Sequence, residues 1–197
     1  MILFPILIGL LLWNQLPSEL VTHWDAKGTP NGWSPKWFAV IGLPLILLAL
    51  HWLCATITSA DPKSRYLNRK MVTLILWICP IVSLFCAIMV YAEALNIHLN
   101  VELFGSVFTG AVFIIIGNYL PKCQQNYTVG IKLPWTLNSK ENWNRTHRFA
   151  GPVWVICGVI LILAMFMRSE MMFVTVVLAA VLIPTLYSYL YYKKYEK

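Results

Sequence analysis

The chain has 197 residues, of which 59% are hydrophobic and only 12% charged, and it carries nine Trp, nine Tyr and nine Phe. A soluble domain is about half apolar and about a quarter charged, so this composition, with a mean hydropathy of +0.68, excludes a soluble enzyme, a disordered tail and a disulfide-stapled secreted module. The formal net charge of +7 would suit a nucleic-acid binder, but its distribution along the chain gives it another meaning.

A bilayer core of about 30 Å needs about 20 apolar residues in a helix. Six stretches approach or meet that length: Ile2–Leu16, Trp37–Thr58, Met71–Leu95, Leu103–Leu120, Phe149–Met167 and Met171–Tyr192. None shows the alternation of a membrane barrel. The first is short. It has no basic lead-in and no small-residue cleavage site, so it reads as an uncleaved helix and not as a signal peptide. The expected fold is therefore all-α: a polytopic membrane protein of about six transmembrane helices, with one ordered outer loop and one ordered inner loop. Two domains are expected. Residues 1–60 form an N-terminal two-helix membrane domain carrying outer loop 17–36, and residues 61–197 form a four-helix membrane domain carrying inner loop 118–148.

Lysine and arginine set the orientation. Lys63, Arg65, Arg69, Lys70, Lys122, Lys132, Lys140, Arg145, Arg148, Lys193, Lys194 and Lys197 fall on one face, against Lys27, Lys36 and Arg168 on the other. Twelve against three predicts that both termini and the long loop are cytoplasmic. Five of the eight acids, Glu19, Asp25, Glu93, Glu102 and Glu170, fall on the outer face. The positive charge is then an orientation signal and an attraction to anionic lipid, and no direct nucleic-acid contact is expected. Cys54, Cys79, Cys86 and Cys157 lie in spans and Cys123 in the inner loop, so no structural disulfide is expected.

The outer segment LPSELVTHWDAKGTPNGWSPKW is dense in turn formers at Gly28, Pro30, Asn31 and Gly32. Ser34–Pro35 reads as a helix start, and Trp24, Trp33 and Trp37 as anchors at head-group level. The inner segment from Asn126 to Trp135 reads as an extended or hairpin-like hook. Asn138 and Glu141 resemble a capping pair that opens a helix running toward the fifth span. Trp143 and His147 share one face of that helix, with Lys140 and Arg145 off it, the pattern of an amphipathic helix on the inner leaflet. In the fourth span Gly105, Ser106, Thr109 and Gly110 would allow close helix packing. Pro44, Pro80 and Pro184 fall inside spans.

Ionisable groups near membrane depth are where chemistry would sit. His51 is either an interfacial histidine beside Trp52 or part of a water-filled path. Glu93 either snorkels to the outer head groups or pairs with His23, His98 or Lys36. His23 and Asp25 could join a metal site, although their spacing matches no closed-site pattern and a purely structural loop, with His23 bonding backbone groups, is the favoured reading. Glu141, Thr146 and His147 could be read as catalytic, but the chain has no H-E-x-x-H, G-x-S-x-G or G-x-x-x-x-G-K-S/T motif. No cofactor, no metal and no enzymatic activity are expected.

Taken together the two loops resemble a known family. Leu16–Pro17, His23, Gly28, Gly32 and Trp33 resemble the domain of unknown function (DUF1648-like) that precedes SdpI-like proteins. Gly117, Asn118, Tyr119 and Pro121, then Asn126, Tyr127, Gly130, Ile131, Pro134, Trp135, Thr136 and Leu137, then Trp143, Thr146, His147 and Arg148 resemble the SdpI/YfhL signature. Lys132–Leu133 stands where the pattern has Arg-Thr, which keeps the charge and loses the planar fork. The resemblance implies an immunity protein of a bacterial cell membrane. It would protect against a secreted peptide toxin met on the outer face, and would signal by recruiting a cytoplasmic transcriptional repressor. Candidate outer contacts are His23, Trp24, Asp25, Trp33 and Glu93. Candidate inner residues are Asn118, Asn126, Lys132, Trp135, Thr136, Trp143 and His147. Trp135 and Trp143 would equally serve as interface anchors, and Asn118 and Asn126 as caps on backbone. A small transporter and a membrane-embedded metal-dependent hydrolase are the alternative classes. Toxin, partner and oligomeric state are not legible.

Overall fold

The structure is a computed structural model that describes residues 1–25, 27–63, 69–164 and 170–197. Arg65 and Arg168, used above in the charge argument, lie outside the described residues. Helix α1 (Phe4–Leu11) is followed by strands β1 (Glu19–Trp24) and β2 (Pro30–Pro35), then helices α2 (Leu43–Ala60), α3 (Arg69–Ala94), α4 (Val101–Tyr119), α5 (Pro134–Asn138), α6 (Lys140–Ala164) and α7 (Glu170–Tyr195). A π-helical turn, Phe38–Gly42, leads into α2 and a 3-10 turn, Leu120–Lys122, closes α4.

Among the described residues five helices are long and apolar enough to cross a membrane: Phe38–Ala60, Arg69–Ala94, Val101–Lys122, Lys140–Ala164 and Met171–Tyr195. Many of their large apolar side chains, such as Trp52, Ile88, Ile156 and Leu186, are mostly exposed. In water that would be a liability, but against lipid it is the expected outer surface. The chain is thus a polytopic α-helical membrane protein. The first of the six expected spans is the short one: α1 has eight residues, about 12 Å of helix at 1.5 Å per residue. Its end is fixed chemically. Lys36 Nζ donates to Trp13 O at 3.0 Å and Leu16 O at 2.7 Å, carbonyls of the turn that follows α1.

Two compact units appear, one formed by residues 1–57 and 73–104, the other by 58–72 and 105–197. In the first, Leu16, Leu20, Ala39, Val40, Val90 and Tyr91 form the core. Tyr91 Oη donates to Pro5 O at 2.9 Å and Ser83 Oγ to Ile2 O at 3.1 Å, pinning α1 to α3. β1 and β2 form an antiparallel hairpin with Val21 opposite Trp33 and His23 opposite Gly32. The outer segment is therefore the one two-stranded sheet among the described residues. β2 runs through Ser34–Pro35, so the pair expected to open a helix instead ends a strand.

In the second unit α6 and α7 pack along Cys157, Leu161, Val176 and Ala180. Helix α4 meets α6 through glycines. A Cβ on Gly110 would stand 2.5 Å from Gly158 O, and one on Gly117 would stand 2.8 Å from Gly151 O. Small residues let backbones approach where lipid supplies no hydrophobic drive. The expected Gly105 is not part of this seam, since a Cβ there would meet nothing within 4 Å.

Candidate functional site

The inner segment forms neither a hairpin nor a separate surface helix. Residues 123–133 run as turns and irregular chain, α5 is a single short helix, and α6 continues unbroken from Lys140 into the fifth span. Ser139, and not Asn138, provides the cap: its Oγ accepts the Asn142 N–H at 3.1 Å. Glu141 faces Arg145 one turn on, at 3.0 Å.

The first two turns of α6 point Asn142, Trp143, Thr146 and His147 inward, each essentially fully buried. Polar groups held that deep must find partners, and they find them in the loop. His147 Nδ1 meets Trp143 O at 2.8 Å, and His147 Nε2 accepts the Ile131 N–H at 3.0 Å. A carbonyl on one side and an amide on the other select the neutral Nδ1–H tautomer. The imidazole also stacks on the Trp143 indole, with centroids 4.1 Å apart and 20° between planes. Trp143 Nε1 donates to Cys123 O at 2.8 Å. Gly130, at φ 122°, passes so close that a Cβ would lie 2.4 Å from His147 Nε2. This position requires glycine both for its backbone angle and for its lack of a side chain.

Asn126, fully buried, organises the turn before it. Its Oδ1 accepts the N–H groups of Thr128 at 2.8 Å and Val129 at 2.7 Å, while Nδ2 donates to Gln124 O at 2.8 Å and Val129 O at 3.0 Å. Thr136 Oγ1 accepts the Leu133 N–H at 2.9 Å and faces Ile131 O at 2.8 Å, closing a capping box on α5. Lys132 Nζ donates to Thr128 O at 3.0 Å and Tyr127 O at 3.4 Å, so the lysine standing in the Arg position bonds to loop carbonyls. A second chain of bonds ties the loop to α7. Trp135 Nε1 donates to Ser188 Oγ at 2.7 Å, Ser188 Oγ to Asn142 Oδ1 at 2.9 Å, and Thr146 Oγ1 to Asn142 Oδ1 at 3.0 Å. Trp135 also stacks on Tyr192 and meets Tyr189 edge-on.

Asp61 is the anchor that the sequence reading did not single out. Its Oδ2 accepts the Thr128 hydroxyl at 2.6 Å and the Tyr127 N–H at 2.8 Å, and its Oδ1 accepts the Lys63 N–H at 2.8 Å. Burial works against its charge, but the Thr128 hydroxyl and the backbone N–H groups of Lys63, Tyr127 and Thr128 outweigh it and hold the carboxyl below its ordinary range. Gln125 was also missed. Its Nε2 donates to Thr136 O and Leu137 O, both at 2.9 Å, and its Oε1 accepts Lys63 Nζ at 3.1 Å. Glu196 binds Ser139 Oγ, and Asn142 Nδ2 at 3.1 Å. One signal was available for Asp61: it is the single acid beside four basic residues in its loop. Burial pushes the Cys123 thiol up to about 11, the Asn126 bond opposing it.

Of the expected inner residues, the structure thus brings Asn126, Lys132, Trp135, Thr136, Trp143 and His147 into one loop framework. Asn118 stands apart: its Nδ2 donates to Ile114 O at 3.0 Å within α4. On the hairpin, His23 Nδ1 pairs with Asn31 Oδ1 at 2.5 Å, and Asp25 Oδ1 accepts the N–H groups of Lys27 at 2.9 Å and Thr29 at 2.8 Å. Both outer polar candidates are therefore engaged in shaping the turn. The Trp24 indole nitrogen is buried without a partner, whereas Trp33 is largely exposed. Glu93 is half-buried. The one ion pair among the described residues is Arg145–Glu141, so Glu93 is not paired with His23, His98 or Lys36. No group of three His, Cys, Asp or Glu able to hold a metal occurs among the described residues.

Fold and loop define a multi-pass helical membrane protein built around a self-satisfied polar loop. Residues 122–188 match the SdpI/YfhL protein family, and residues 1–48 match a domain of unknown function, DUF1648. It is 28% identical over 195 residues to Immunity protein SdpI of Bacillus subtilis (strain 168), covering 95% of this chain and 90% of that protein. No solved structure matches.

Proposed function

We propose that this chain is an immunity protein of a bacterial cell membrane, protecting the cell against a secreted peptide toxin. The observation that carries this reading is its similarity to Immunity protein SdpI along 95% of its length, which takes in both the hairpin and the polar loop. In this reading the hairpin, with Trp33 displayed on it, faces outward and meets the toxin. The polar loop faces the cytoplasm, as the excess of basic residues on its side favours, and the C-terminus lies on that side too. Helix α1 is too short to carry Met1 across by itself, so a reporter at Met1 decides the N-terminal side. The activity is binding, not catalysis.

The same proposal includes a two-sided role, which the loop's construction supports. Its donors and acceptors are matched to one another, so a shift in α6 or α7 breaks several bonds at once and the loop passes between discrete arrangements. A toxin that prefers one arrangement moves that equilibrium, and a cytoplasmic repressor that binds the other surface of the loop reads it. The test is to express the chain in Bacillus subtilis cells deprived of Immunity protein SdpI and co-culture them with cells that retain it. Restored survival is expected. Killing that is undiminished, with the chain inserted in the membrane, would remove the immunity reading for that toxin.

A further inference from the structure

The loop-side ends of α6 and α7 enclose a cleft of about 490 Å3 that takes no part in the polar framework. It is lined by Glu141, Asn144, Arg145, Arg148, Phe149 and Tyr187. Arg145 and Arg148 are three residues apart and share a face of α6. Arg145 is already oriented: Glu141 Oε1 holds its Nε at 3.0 Å, and its guanidinium lies over the Tyr191 ring, 5.1 Å from the centroid. Arg148 is exposed and has no hydrogen bond or ion pair among the described residues. Behind both, Phe149 and Tyr187 stack face to face, 4.3 Å apart at 17°.

Like charges at this helical spacing destabilise unless an anion relieves them. One acid lines the cleft against two guanidiniums, and Glu141 is committed to Arg145, so the cleft keeps a net positive charge. Its position along the helices matters as much. From Phe149 to Ala164 α6 carries no charged residue, and on α7 the apolar run gives way to Lys193 beyond Tyr187–Tyr192. The guanidiniums therefore stand at the polar end of both apolar runs, beside Tyr187, a residue type enriched at bilayer interfaces. Ile183, one turn from Tyr187 toward the apolar body of α7, is exposed and extends an apolar track away from the cleft.

We propose that this cleft binds the phosphate of an anionic membrane lipid. Arg148 supplies a planar, two-donor fork to the phosphate oxygens, Arg145 adds its outward N–H groups, and Asn144 can donate from the rim. The acyl chains lie along Phe149 and Ile183. A free phosphate would use the arginines and gain nothing from the apolar track; the track is what assigns the site to a lipid. The proposal does not rest on the immunity reading, nor on which leaflet the loop faces.

The test uses the full chain in detergent, offered equal amounts of phosphatidylglycerol and phosphatidylcholine with the same acyl chains, with retained lipid read by native mass spectrometry. Preferential retention of phosphatidylglycerol is expected. R148Q should weaken that retention about tenfold, the equivalent of one charge-assisted contact, and F149A should weaken retention of the lipid. K122Q, which removes an equal charge elsewhere, should leave it unchanged. Cys123, buried in the fold, should stay unreactive in every variant, verifying that each is folded. Equal retention of the two lipids, an R148Q protein that binds as the wild type does, or displacement of phosphatidylglycerol by an equal concentration of inorganic phosphate would each overturn the assignment.

Discussion

Replacing His147 with leucine removes the acceptor for the Ile131 N–H, which lies 3.0 Å from Nε2, and the stack on Trp143 at 4.1 Å. The side chain is 1% exposed, so water cannot take the histidine's place without opening the loop. A buried donor left unpaired costs about 1–3 kcal/mol, and the lost ring contact about 0.5–1.5 kcal/mol. The loop should then open more easily by roughly 2–4 kcal/mol. At 1.4 kcal/mol per factor of ten, that means amide exchange at Ile131 faster by about thirtyfold to several hundredfold. Hydrogen–deuterium exchange on the detergent-solubilised protein reads this directly. Glutamine at the same place can offer its carboxamide oxygen to the same N–H, and H147Q should recover most of the protection. Unchanged exchange at Ile131 in H147L, or equal loss in H147L and H147Q, would refute the idea that Nε2 acts as an acceptor holding the loop down.

Asp61 carries the corresponding load at the other end of the loop, and D61N should cost about 1.5–3 kcal/mol and speed thiol labelling of Cys123 in a background where the other cysteines are serine. The Asp61 carboxyl is held below its ordinary value, so its contribution to stability is complete above the unfolded carboxylate range and is lost as pH falls through the lowered folded value. Thermal midpoints followed from about pH 5 to pH 2.5 should therefore fall more steeply for the wild type than for D61N, and parallel curves would contradict the assignment. In the α4–α6 seam G110A should destabilise by about 1–3 kcal/mol because its Cβ would meet Gly158 O. G105A, with open space around it, should be neutral or gain up to about 1 kcal/mol from helix propensity; detergent melting curves separate the two. Trp135→Phe keeps the aromatic contacts but deletes the bond to Ser188 Oγ, and should reduce survival in the co-culture assay while membrane insertion stays normal.

What the sequence made legible was whatever depends on composition and periodicity. The five long helices and their loops follow from apolar runs of bilayer length, and the family signature located the polar loop. What it left obscure depends on which distant groups meet. Trp143 and His147 share a helix face in the sequence, but amphipathicity alone could not tell a face turned to lipid head groups from one turned into a folded loop. The structure turns it inward because Ile131 N–H and Cys123 O stand opposite it. The stretch around Gly130 has the β-branched residues of a strand, yet Asn126 draws its backbone donors into a turn and leaves no ladder to form. In the hairpin the turn falls at Gly28, as its residue type suggests, whereas Pro30, Asn31 and Gly32, also read as turn formers, lie in β2; Pro30 and Pro35 hid that strand, since strands tolerate proline at their ends. Ser188 lies far from the loop in sequence and has no local pattern, and Asp61, though marked as the single acid among four basic residues, is no nearer; only the fold brings them to it.

The proposal that hairpin and loop face opposite sides of the membrane is tested most directly by two single-cysteine proteins, W33C on the hairpin and N138C in the loop, both at exposed positions, treated in intact cells with a membrane-impermeant thiol reagent. Labelling at position 33 without permeabilisation, and at position 138 only after it, is the predicted result. Labelling of position 138 in intact cells, or protection of position 33 until the membrane is opened, would contradict a protein that meets a toxin with its hairpin and answers with its loop.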